Sequence, residues 1–167
     1  MATRPTSDRL RETLFNVLAP RIAGARFLDL YSGSGAVGIE ALSRGAAHVT
    51  FVEKALPALT ALRANLTRLG IVSNFTIHAS AVTTFLRGLA PGALFEIIFL
   101  DPPYDLASEY ATTLTLLGGS ASSFLASGAI VIAEHSRKNA LADTYGALTR
   151  TRLLQQGDAS LSFYALN

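Results

Sequence analysis

Four consecutive residues, Asp101-Pro102-Pro103-Tyr104, carry the most specific chemistry in the sequence. Two prolines in a row lack N–H donors and hold the backbone extended, so carbonyl oxygens face outward beside a carboxylate and an aromatic ring. A planar exocyclic amine can donate one hydrogen to Asp101 and the other to a proline carbonyl, while Tyr104 stacks on the attached base. The nitrogen lone pair is then exposed for in-line attack on an electrophilic carbon.

A second constellation lies upstream. Gly33, Gly35 and Gly38 have the spacing G-x-G-x-x-G directly after the apolar run Phe27-Leu28-Asp29-Leu30, which reads as a strand covered on both faces. Glycines at such a turn let the backbone approach a ligand, and free N–H groups at the following helix start favour a negative group. Asp29, four residues before Gly33, argues against a pyrophosphate and for a cationic or hydroxyl-rich ligand. Glu53 ends the next apolar run, His48-Val49-Thr50-Phe51-Val52, where an acceptor for two ribose hydroxyls belongs in a doubly wound sheet. The pair therefore suits an adenosine ligand; the plainer alternative is that both acids only cap neighbouring helices.

These residues need elements to hold them. Pro5 precedes an expected helix from about Ser7 to Leu18, with Leu10, Leu14, Val17 and Leu18 on one face. Strand, glycine turn and helix follow, then a strand ending at Glu53, a helix from about Leu56 to Leu69 and a strand at Phe75-Thr76-Ile77. Phe95 to Leu100 is the strand before Asp101, Leu106 to Leu117 a helix, and Ser127 to Glu134 a fifth strand. Two final strands, near 147–154 and 160–166, are joined by a Gln155-Gln156-Gly157-Asp158 turn that predicts an antiparallel hairpin. The expected fold is α/β, a doubly wound Rossmann-like sheet of seven mostly parallel strands in a single domain, with ligands above the carboxyl strand ends. Asp29, Glu53, Asp101 and Glu134 all fall on that edge. Glu134 either touches substrate there or pairs with Arg137 or Lys138.

The Asp101-Pro102-Pro103-Tyr104 motif resembles the D/N-P-P-Y/F signature of class I S-adenosylmethionine-dependent amino methyltransferases. More narrowly, the opening Arg4-Pro5-Thr6-Ser7-Asp8-Arg9-Leu10-Arg11-Glu12-Thr13-Leu14-Phe15, followed by the DLYSGSGAVGIEALSRGA stretch, resembles the RsmD-type small-subunit (16S) ribosomal RNA guanine-N(2) methyltransferases. The resemblance runs from about Arg4 to the final strand. It implies S-adenosylmethionine as cofactor, held by Asp29, Tyr31, Ser32, Gly33, Gly35, Glu53, Lys54, Ser80, Ala81 and Asp101. It implies catalysis at Asp101, Pro102, Pro103 and Tyr104, and substrate contact by Arg4, Arg9, Arg11, Tyr104 and Glu134. Related enzymes often place an aspartate near His78-Ala79-Ser80-Ala81 to bind the adenine amine; here Ser80 is the only short polar side chain, so backbone groups are expected to hold adenine. Enzymes of this type usually begin with a basic β-hairpin, whereas this chain starts three residues before Arg4, so the expectation is a domain without that arm.

Composition narrows the alternatives. The 167 residues include no cysteine, which excludes thiolate metal sites and disfavours methylation of pyrimidine carbons, a reaction that commonly needs a cysteine nucleophile. No histidine lies at metal-ligand spacing from another ligand, so no metal is expected. No apolar run approaches the roughly 18 residues of a membrane span, and a cytoplasmic monomer that binds ribosomal RNA or the assembled small subunit, away from membranes, is expected. Formal charge is +2, yet the first 26 residues hold five arginines against two acids, as suits either phosphate contact or a solvated face. Other readings are an amino methyltransferase acting on DNA adenine or protein glutamine, a nicotinamide-dependent dehydrogenase built on the glycine turn, and a binding module that keeps the fold without turnover.

Overall fold

The structure, a computed structural model, describes residues 5–90, 92–103 and 106–167. Arg4 and Tyr104 lie outside the described residues. The chain runs α1 (Pro5–Leu18), β1 (Arg26–Leu30), α2 (Ala36–Ser43), β2 (His48–Glu53), α3 (Leu56–Arg68), β3 (Phe75–Ala79), α4 (Val82–Arg87), β4 (Phe95–Leu100), α5 (Ser108–Leu117), β5 (Leu125–Ser136), β6 (Thr144–Tyr145), β7 (Leu148–Gln156) and β8 (Ala159–Leu166).

All strands join one sheet in the order β3-β2-β1-β4-β5-β8-β7-β6. The first five are mutually parallel, and β8, β7 and β6 add antiparallel. The order reverses at β1, whose neighbours are β2 and β4, and a crevice for ligands opens there above the carboxyl ends. The alternation of side chains along each strand sorts the core into two layers. Leu28, Leu30, Ile98, Leu100, Val131 and Ala133 pack with α4 and α5. Phe27, Ile97, Phe99 and Ile132 pack with α1, α2 and α3 through Leu14, Phe15, Ala41 and Leu62.

The doubly wound architecture and the closing hairpin agree with the sequence reading, but among the described residues the sheet has eight strands rather than seven. The extra one, β6, is two residues long and pairs Thr144 with Thr149 and Tyr145 with Leu148. Its turn is fastened to the end of α5 by an Ala147 N–H to Gly118 carbonyl bond of 2.8 Å. A pairing so short leaves no period in the sequence. The six-residue α4 was likewise not anticipated, since it is too short for an amphipathic repeat; Val82, Phe85 and Leu86 anchor it in the core. No described helix is long and apolar enough to cross a membrane.

β5 is also longer than the sequence suggests. Its partner β4 ends at Leu100, opposite Ala133, whereas β5 continues against β8 through Ser136. At about 3.3 Å per residue, that carries the β5–β8 ladder some 10 Å above the crevice floor.

Candidate active site at the carboxyl edge of the sheet

The glycine turn begins with a strained residue. Tyr31 has φ 58°, a left-handed conformation that a bulky side chain adopts only under external constraint. The constraint comes from α5: the Tyr31 hydroxyl shares a 2.7 Å hydrogen bond with Thr113 Oγ1 and donates to Glu109 Oε1 at 3.3 Å. Burial, with the nearby Glu109 carboxylate, holds the phenol protonated well above its ordinary range despite the Thr113 bond. Neither Glu109 nor Thr113 was singled out from sequence; their i, i+4 spacing at the start of α5, after the Pro-Pro loop, was the available signal.

The three glycines have different jobs. Gly33 has φ 57° and no atom within 4 Å of where a Cβ would stand, so open space lies beside it. Gly35, just before α2, and Gly38, within α2, are packing residues: a Cβ would fall 2.3 Å from Leu62 Cδ1 at the former and 2.3 Å from Phe51 Cε1 at the latter. Gly38 thus has the close-packing role that the third glycine of such turns has, whereas here the open position is the first glycine and not the second.

The two acids also divide. Glu53 Oε1 accepts the Gly33 N–H at 2.8 Å, and its Oε2 accepts the N–H groups of Lys54 and Ala55 at 3.0 and 2.9 Å. It thus ties β2 to the glycine turn while remaining half-buried at the crevice wall. Asp29 is only 1 % exposed, and its carboxylate accepts the Gly38 N–H at 3.0 Å. Burial pushes its pKa up to about 7 against the lowering effect of that bond, with Glu53 adding to the rise. Asp29 therefore lies beneath the turn and holds the start of α2. The capping alternative describes Asp29 well and Glu53 only in part.

Ser32, behind the turn, is buried, and its Oγ has no hydrogen-bond partner among the described residues. A buried hydroxyl left so is costly unless something else satisfies it. An orphaned hydroxyl, an open glycine and a ribose-height carboxylate together fit an adenosyl amino acid in this crevice. Farther along the same edge, Lys54 is exposed, Ser80 is half-buried, and Ala81 precedes α4. His78 packs its ring 4.8 Å from Phe85 and is a strand-end residue, as expected.

On the other side of β1, Asp101 follows the last residue of β4. Pro102 is buried, while Asp101 and Pro103 face solvent. The Pro103 carbonyl accepts the Leu106 N–H at 2.9 Å. Pro102 is therefore the proline whose carbonyl has no donor among the described residues. Although its surface is open, Asp101 is surrounded by enough protein that desolvation raises its pKa well above the carboxylate range, with Glu134 and Asp29 adding like charge. Glu134 stands next to it on β5, just past the last β4–β5 pair, its pKa pushed to about 7 by burial and held down in part by Arg11.

Among the described residues, Glu134 makes no ion pair with Arg137 or Lys138; both cations are exposed. Arg11 is not free either: it pairs with Glu40 at 3.2 Å and Asp8 at 3.1 Å, linking α1 to α2. Arg9 is exposed on α1. The hairpin turn closes on this helix through a 2.7 Å hydrogen bond from Thr13 Oγ1 to Gln156 Oε1. The crevice is thus bounded by the glycine turn, the Pro-Pro loop and a wall of α1 and β5–β8. Two clefts of about 330 and 470 Å³ open at the opposite edge, around Arg21, Ser127 and Gly128, and hold none of these residues. Among the described residues, no group of three metal-ligating side chains is gathered.

Comparison with known proteins agrees with this geometry. The chain is 35% identical over 164 residues to the Bacillus subtilis protein YlbH, spanning 98% of this chain and 88% of that one. It is 39% identical over 140 residues to Ribosomal RNA small subunit methyltransferase D of Escherichia coli K12, spanning 83% and 67%. Among solved structures, Escherichia coli yhhF superposes with a TM-score of 0.84 at 33% identity, covering 100% of this chain and 91% of that one. The fold alone is shared with SMU.776, solved with S-adenosylhomocysteine, at a TM-score of 0.76 and 17% identity over 97% and 50% of the two chains. The family described as Conserved hypothetical protein 95 matches residues 1–165, and the chain belongs to it, the family of the RsmD-type methyltransferases.

Proposed function

We propose that this protein is an S-adenosylmethionine-dependent methyltransferase that modifies the exocyclic 2-amino group of a guanine in small-subunit ribosomal RNA. The observation that carries the reading is the convergence on one crevice of two halves: a glycine turn with Glu53 and the Ser32 hydroxyl, and an Asp-Pro-Pro loop with an acid, where neither that hydroxyl nor the Pro102 carbonyl has a hydrogen-bond partner among the described residues. The E. coli relative's name supplies the RNA class.

The residues divide the work. Glu53 is placed for the ribose hydroxyls, the open face beside Gly33 and the Ser32 hydroxyl for the amino-acid end, and Ser80 and Ala81 for the adenine edge. Lys54 lies at the same rim. When bound, S-adenosylmethionine supplies a methyl group on a sulfonium, already a strong electrophile. The protein's contribution is alignment and exclusion of water, which can be worth several kcal/mol. A guanine turned out of its stack meets Asp101 and the Pro102 carbonyl with its two amine hydrogens, and Tyr104 supplies the stacking surface. Arg4 and Arg9 are assigned to RNA phosphates, and Arg11 to the acceptor side of the crevice.

Ligand-dependent protection from heat tests the cofactor half. S-adenosylhomocysteine raises the melting temperature and NAD does not; protection by NAD alone would favour a dehydrogenase and overturn the reading. Substitution Glu53→Ala abolishes most of the protection by S-adenosylhomocysteine.

A further inference from the structure

Side-chain alternation places Asp29, Asp101 and Glu134 on one face of the sheet. Asp29 follows Leu28, Asp101 follows Leu100 and Glu134 follows Ala133, three residues that all point into the α4–α5 layer. The acids therefore turn toward the opposite layer, that of α1 and α2. The register sets Leu100 against Ala133, so the next residues, Asp101 and Glu134, are neighbours across two parallel strands. At this height β5 is fixed by the Tyr110 hydroxyl, which donates to the Glu134 carbonyl at 2.6 Å.

We propose that Glu134 acts in the methyl transfer as the positioning partner of Asp101: the ionised two-carboxyl pair takes up, on Asp101, the proton that the substrate amine must lose, and Glu134 then shares it. The inference rests on the amino-methyltransferase reading given above. The balance is simple. As the nitrogen lone pair forms the bond to the methyl carbon, the carbon–sulfur bonding pair departs with sulfur as a thioether. One N–H bond then breaks, its electrons stay on nitrogen, and the proton passes to Asp101 and is shared with Glu134. No oxidant or further reactant is needed.

The surroundings explain why two acids serve better than one. A lone exposed carboxylate is a weak base, whereas two adjacent carboxyls cannot both ionise easily and hold a proton near neutrality. Burial dominates the upward shift at both groups, and the like charges of Glu134 and Asp29 add to it at Asp101. Among the described residues, the charged groups acting on the pair are Asp29 from β1 and Arg11 from α1, the latter paired with Glu40 of α2, itself bridged to Arg44. His135, the next residue along β5, bonds Ser162 through Nε2 at 2.8 Å and lies on the opposite face. Arg11 is the opposing cation: it favours the ionised pair, so its presence keeps the pair able to accept.

The test compares wild type, Glu134→Gln and Arg11→Gln in labelled-methyl transfer to small-subunit particles lacking the native guanine methylation, across pH. The wild-type rate rises with pH along a limb set by the pair. Glu134→Gln lowers kcat by about 100-fold, the low end of what general acid–base catalysis contributes, with KM little changed, and it moves the limb to lower pH because Asp101 loses its like-charged neighbour. Arg11→Gln moves the limb to higher pH. Carboxyl ¹³C NMR titration of the ligand-free protein gives a readout independent of turnover: Asp101 titrates above the ordinary carboxylate range in wild type and at lower pH in Glu134→Gln. A Glu134→Gln protein with wild-type kcat and limb overturns the proposal, as does an Asp101 titration unmoved by that substitution. Wild-type protein that binds S-adenosylhomocysteine yet methylates no RNA overturns the functional reading instead, and the NMR titration still decides whether the pair exists.

Discussion

At the scale of single residues, the glycine turn makes the sharpest demands. At Gly38 a methyl group would meet Phe51 and, at 2.9 Å, the Asp29 carboxylate that holds the start of α2. Gly38→Ala therefore destabilises the protein by about 1–3 kcal/mol, the usual cost of overpacking, read as a lower midpoint in urea. Gly33→Ala meets no neighbour, so its cost is the left-handed backbone, about 1–2 kcal/mol; its larger effect is weaker binding of S-adenosylhomocysteine, measured by calorimetry. Asp29 adds a pH dependence. Its folded pKa, about 7, lies above the ordinary value of 3.8, so the folded state binds the proton more tightly than the unfolded one. Stability from this group is full below pH 4 and is lost as pH rises through 7. Asp29→Asn keeps an acceptor for the Gly38 N–H and removes the ionisation. Its melting temperature falls less than wild type's between pH 5 and 8; an identical fall would show that Asp29 does not titrate in that window.

At the scale of elements, the strained Tyr31 makes the glycine turn depend on α5. Tyr31→Phe removes the hydrogen bonds to Thr113 and Glu109 while keeping the ring. We expect a loss of about 1 kcal/mol in stability, together with weaker S-adenosylhomocysteine binding as the turn loosens. Weakened binding without that stability change would place the tyrosine in direct ligand contact instead. This tether marks where the sequence stopped being legible. The strand ends, the glycine turn and the Asp-Pro-Pro loop could be read because apolar runs and breakers are local signals. Tyr31 with Thr113, Arg11 with Glu40 and Thr13 with Gln156 are joined by the fold across 82, 29 and 143 positions, and no local pattern announces such pairs. The same limit explains Asp29: its place at the crevice edge was readable, but its burial beneath the turn depends on how closely Gly38 lets α2 approach.

At the scale of the whole molecule, the nearly neutral net charge conceals a division of labour. The crevice collects acids, while Arg9, Arg137 and Lys138 are exposed around it. Binding to RNA is expected to weaken steeply as salt rises, because released counterions drive phosphate contact, whereas affinity for S-adenosylhomocysteine changes little, since its partners are hydrogen bonds and burial. Fluorescence titrations at two salt concentrations separate the two. The β5–β8 ladder, which continues beyond the level of Leu100, gives the Asp101 edge of the crevice one tall wall.

The central claim is amine methylation of a guanine at the Asp101 loop. The most direct measurement is nucleoside mass spectrometry of small-subunit RNA after incubation of undermethylated particles with S-adenosylmethionine and either wild-type or Asp101→Ala protein. N(2)-methylguanosine is expected to accumulate with wild type and to be lost with the variant. Methyl groups on adenine or on ribosomal protein, or equal guanine methylation by both proteins, would contradict it.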